Sequence, residues 1–104
     1  MKLIRRSFFN YENLAKNFVA IYEVAIRSSG KIFVVTFTED IIQDGFPHSS
    51  KTSVPPFVKR KEATIEMATV YFNAYIVELQ KRQLKGGWRL MERVDDPKTP
   101  LDKI

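Results

Sequence analysis

The sequence predicts an α+β domain in which an antiparallel hairpin plus a third strand pack on one long helix, in a ββαβ-like order. Three observations point there. Apolar residues alternate on both sides of Ser29-Gly30, as strands joined by a tight turn require. A long segment from Lys59 to Leu84, closed by Gly86-Gly87, carries apolar residues at three- and four-residue spacing. A short run from Trp88 to Val94 then alternates again until Asp95-Asp96-Pro97 ends it.

At 104 residues, the chain has the length of one domain, and 44% hydrophobic with 28% charged residues is ordinary for a globular core under a polar surface. The expected organisation is a single small domain over 1–104, with a long irregular loop at 40–58 and a frayed tail at 95–104. No apolar run approaches the ~20 residues that cross a bilayer, so no membrane association is expected. The start Met1-Lys2-Leu3-Ile4-Arg5-Arg6 lacks the apolar core of a signal peptide, and a cytoplasmic location is the expectation. With no cysteine, disulfides and thiolate chemistry are excluded.

Between Asn10 and Arg27 two patterns compete. Leu14, Phe18, Ile21, Tyr22, Ala25 and Ile26 share a helical stripe, but residues 18–28 are also rich in β-branched and aromatic types. Register favours the strand. A two-residue Ser29-Gly30 turn pairs Ile26 with Phe33, Val24 with Val35 and Tyr22 with Phe37, placing all six on one face. The expected hairpin is therefore 18–28 with 31–39, preceded by a helical turn near Tyr11–Asn17. Leu3 to Phe9 has a weak strand pattern. In the last strand, Trp88, Leu90 and Val94 are expected to face inward.

On the helix, Ile65, Ala68, Phe72, Tyr75, Ile76 and Leu79 form the stripe that covers the hairpin. Met67, Val70, Tyr71, Ala74 and Val77 make a second apolar strip on the other side. Either the chain's own residues 1–17 or 40–58 cover it, or it is a homodimer or protein-partner interface. At the C-terminal end Lys81, Arg82 and Lys85 complement the helix dipole, with Gly86-Gly87 as the cap. At the other end Lys59-Arg60-Lys61 is expected to sit at the positive pole of the helix, an arrangement that suits an anion.

The net charge of +5 is uneven. Residues 39–50 carry only Glu39, Asp40 and Asp44, whereas 51–93 hold nine basic and four acidic groups. Such a body attracts nucleic acid or another polyanion. The candidate contacts are Lys59, Arg60 and Lys61, Lys51 before them, Arg27 and Lys31 beside the hairpin turn, and Arg89 and Arg93 on the last strand. Phosphate contacts of this kind carry no base sequence information.

Catalysis is not expected. His48 is the only histidine, and its acidic neighbours Glu39, Asp40 and Asp44 lack a metal-ligand spacing. No Gly-x-Ser-x-Gly turn, phosphate loop or dinucleotide fingerprint occurs, so neither metal nor cofactor is anticipated.

A hairpin followed by Phe57-Val58-Lys59-Arg60-Lys61-Glu62-Ala63 and a helix resembles the three-stranded-sheet-plus-helix DNA-binding arms of tyrosine recombinases. That resemblance implies a sheet laid in the major groove. It is architectural, because this chain has a longer loop, a longer helix and an added strand. The reading is a non-catalytic binding module for nucleic acid or another polyanion, with a protein-interaction or homodimerisation module as the alternative.

Overall fold

The computed structural model describes residues 2–43, 46–49 and 58–96. They form six strands and one helix: β1 (Lys2–Asn13), β2 (Phe18–Ser29), β3 (Ile32–Gln43), β4 (Phe46–Ser49), β5 (Val58–Glu62), α1 (Ile65–Lys85) and β6 (Arg89–Asp96). All pairings are antiparallel, in the order β4-β3-β2-β1-β6, with β5 also on β3. Strand β2 occupies one side of β3 along its whole length, so β4 and β5 share the other side. The sheet is thus five strands wide, and α1 packs on one of its faces.

The α+β class and the sheet-on-helix core agree with the sequence reading, whereas three strands proved too few. Residues 2–13 form one strand with no helical turn near Tyr11–Asn17; a four-residue turn, Leu14 to Asn17, joins β1 to β2. The pattern of β1 was faint because its helix-side positions include Ser7 and Asn13, its open side carries Phe8, and a bulge at Ile4 breaks the alternation. Of the expected 40–58 loop, residues 40–43 complete β3, 46–49 form β4 and Val58 opens β5. Asp95 and Asp96 belong to β6 and not to a frayed tail.

The β2–β3 hairpin has the predicted face but not the predicted register. Its pairs are Ser28–Phe33, Ile26–Val35, Val24–Phe37 and Tyr22–Glu39. The two-residue loop is Gly30–Lys31, with Gly30 at φ +63°. A glycine at the first central position with positive φ suits a type II′ turn, whose twist matches that of the strands. Moving the turn by one residue shifts each pair by two, which preserves the face.

Tyr22, Val24, Ile26, Val35 and Phe37 form the helix-side surface with Phe9 and Tyr11. Ala68, Phe72, Ile76 and Leu79 of α1 pack against it, with Ile65 and Tyr75 at the margins. The predicted core stripe of the helix is therefore the observed one. The helix starts later than expected, however: Thr64 is its N-cap, accepting a hydrogen bond from the Met67 amide at 3.2 Å. Lys, Arg, Glu and Ala are good helix formers, so 59–63 resembled a first turn, but the strand pairing with β3 prevails.

The helix ends as the glycines suggest. Gly87 at φ +78° lets its amide reach Leu84 O (3.3 Å) and the Trp88 amide reach Gln83 O (3.0 Å), a Schellman closure. Asn13 Nδ2 donates to Gly86 O at 3.4 Å, tying the β1–β2 turn to this cap. Trp88 packs on the core as predicted. Leu90 and Val94 remain 43% and 41% exposed, which corrects their inward assignment. A bulge at Met91 puts Leu90 opposite Tyr11 but Val94 opposite Phe8, on opposite faces of the sheet.

Phe72 is 1% exposed and sits at the centre of the contact, whereas Val70 is 56% exposed. Phe72→Ala should cost about 3–5 kcal/mol in urea unfolding, and Val70→Ala should stay within about 0.5 kcal/mol for the monomer.

Candidate functional site

The registers sort the predicted cations onto two faces. On the face away from α1, Arg27, Val34 and Lys61 lie in one cross-strand row, and Arg6, Ala25, Thr36 and Lys59 lie in the next. Lys31, exposed, occupies the turn at the same end. These groups converge because β5 places alternate residues, Lys59 and Lys61, on the open side of the sheet. Neighbouring strands lie about 4.8 Å apart, so Arg27 and Lys61 stand roughly 10 Å from one another.

Val34 is 3% exposed and Ala25 0%, though α1 lies on the other face of the sheet. Flanking cations with long aliphatic stems suit such a surface, because the stems cover carbon while the heads reach water. Arg6 was absent from the predicted set. It forms ion pairs with Asp96 at 3.4 Å and Glu23 at 3.9 Å, and Arg27 approaches Glu23 at 3.7 Å and donates to Thr36 Oγ1 at 3.4 Å. Among the described residues, Lys31, Lys59 and Lys61 form no ion pair. Glu23 thus holds two arginines in place, while the three lysines have no ion-pair partner among the described residues.

The remaining predicted cations lie elsewhere. Arg60 faces the helix side, 3.6 Å from the Tyr71 ring centroid, and bonds Glu62 at 2.6 Å. Its hydrogen bond to Glu62 raises its pKa. Arg93 also lies on the helix side, over Phe9, and donates to Asp95, which accepts from Ser7 as well. Arg89 pairs with Glu12 at 2.6 Å, at the far end of the strands from the Gly30 turn. Lys51 falls outside the described residues. The expected basic cluster at the helix N-terminus is not formed, since Lys59-Arg60-Lys61 belongs to β5 and the acidic Glu66 occupies the first turn.

On the helix, Met67, Val70 and Val77 are 44%, 56% and 46% exposed, and Ala74 is exposed beside them. Tyr71 is half-buried under Arg60. Residues 2–17 do not cover this strip, because they form β1 and its turn in the sheet. A groove of about 690 Å³ opens between α1 and β3, lined by Phe37, Leu79 and Leu84 together with Glu78, Lys81, Arg82 and Lys85.

Below that groove, the Tyr22 hydroxyl donates to Glu39 Oε2 at 2.8 Å, and the Arg82 guanidinium lies 5.6 Å from the Tyr22 ring centroid. Burial and then the hydrogen bond to Glu39 push the Tyr22 pKa well above its ordinary value. Sequence reading missed this group because its register paired Tyr22 with Phe37; the observed register sets Tyr22 opposite Glu39 across β2 and β3. Among the described residues, no group of three or more His, Cys, Asp or Glu is arranged to hold a metal ion, and no helix is long and apolar enough to cross a membrane.

Comparison with protein-family models, curated proteins and solved structures finds no match to the chain. Any functional reading therefore rests on the surfaces themselves.

A folded-state tyrosine pKa above the unfolded value of about 10 gives stability that is full below that pH and lost as pH rises past it. Alkaline titration of urea stability should show this fall, and Tyr22→Phe should remove its share while costing about 1 kcal/mol at neutral pH.

Proposed function

We propose that the chain is a non-catalytic binding module whose open sheet face, at the Gly30 turn, binds nucleic acid or another polyanion. The carrying observation is the convergence of Lys59 and Lys61 with Arg27, Arg6 and Lys31 on one face, with three lysines unpaired among the described residues. Lysine ammonium groups on a strand edge release counterions from phosphates without reading bases. Lys59 and Lys61 also serve the fold, since charged side chains keep an edge strand from pairing with another chain.

The second reading is a protein-contact surface on α1, formed by Met67, Val70, Tyr71, Ala74 and Val77. It is favoured by the exposure of Met67, Val70 and Val77 as neighbours on one side of the helix.

Duplex DNA or heparin retention should fall with salt. Lys59→Gln/Lys61→Gln should lower the log–log salt slope by about 2, given roughly 0.9 per phosphate contact. Arg93→Gln, on the helix side, should leave the slope unchanged. A slope insensitive to both lysines would end the proposal.

A further inference from the structure

The helix strip permits a more specific statement, which rests on the reading of that strip as a protein-contact surface. We infer that its occupant is a second copy of this chain, with two α1 helices packed antiparallel about a two-fold axis.

The first observation is spacing. The large hydrophobic residues of α1 that stay exposed are Met67, Val70, Val77 and Leu84, the last at 80%. With Ala74 and Lys81 they follow each other at intervals of three and four, the repeat of a helix-to-helix seam. At a hundred degrees per residue this seam is centred about 180° round the helix from Phe72, Ile76 and Leu79. Those residues already face the sheet, so the strip is not an overflow of the core. Two seams on opposite sides suit a helix placed between two partners.

The second observation is charge. Lys81 is the one charged residue in the seam. A parallel pair would set it against its own copy, two ammonium groups at one level. An antiparallel pair aligned Met67 to Leu84, Val70 to Lys81 and Ala74 to Val77 avoids that clash. It brings each Lys81 within about a turn of the other copy's Glu66. Those opposite charges then lie close together, and the helix dipoles oppose. Ala74, next to the axis, leaves room for close approach. A single polar seam residue commonly fixes orientation in this way.

The resulting assembly has four layers, sheet, helix, helix, sheet, and it leaves both open sheet faces outermost. Polyanion binding there and self-association through α1 are therefore compatible.

The chain has no cysteine, so single thiols report geometry cleanly. Sedimentation at the highest soluble concentration should give a dimer, lost in Val70→Glu/Val77→Glu. Under mild oxidation Ala74→Cys should cross-link to itself. Met67→Cys should not, because its two copies lie about 25 Å apart along the axis, yet mixed with Leu84→Cys it should form the mixed disulfide. Self-linking of Met67→Cys as fast as Ala74→Cys would overturn the antiparallel arrangement. A monomeric wild type would overturn self-pairing altogether, and maleimide labelling of Val70→Cys separates the two ways that can happen. Fast labelling of a monomer leaves the strip open to another protein; slow labelling means the chain itself covers it, and both readings fall.

Discussion

The contact of Phe72, Ile76 and Leu79 with Tyr22, Val24, Val35 and Phe37 is the interaction on which the other features depend. One helix has one core-facing stripe, so it can dry only one face of a sheet. Everything else follows from how a five-strand sheet manages with that single cover. The opposite face must be satisfied by short side chains, such as Ala25 and Thr36, and by cations such as Arg27 and Lys61 beside Val34. The outer side of the helix, having no part in the core, is left to carry its own pattern.

Charged groups on the helix side show the same constraint at the margins. Strands β5 and β6 lie at the edges of the sheet, and there arginines complete the cover. Arg60 lies over Tyr71, and Arg93 over Phe9, each bonded to a carboxylate two residues on. A guanidinium can lie flat on an aromatic ring while its edge hydrogen-bonds, which an ammonium cannot do as well. The division of labour between arginines that close the core edge and lysines on the open face therefore has a chemical basis.

The sequence disclosed the helix stripe, the glycine cap and the face of the central hairpin, because each is written in a local period or a glycine with a forced backbone angle. It hid β1, whose Ser7 and Asn13 occupy core positions through hydrogen bonds to Asp95 and Gly86, far along the chain. It also hid β5. Lys59 to Glu62 has the composition of a helix, and only Thr64, as the cap that fixes the helix start, could have revealed the strand before it. The cluster of cations was recognisable as a composition but not as a place. Assigning Lys59 and Lys61 to one face and Arg60 to the other requires a period of two, whereas a helix was read.

The pairing of β6 with β1 bears on how the chain is made. Strands β1, β2 and β3 join neighbours through short turns, so this meander closes early and locally. The Ser7–Asp95 bond spans 88 positions, by contrast, and β6 cannot pair with that side of β1 until it has been synthesised. During translation from the N-terminus, the nascent protein therefore carries an open strand edge on β1 until β6 emerges. Arg5 and Arg6, which give that edge its charge, stand guard on it for as long as it waits.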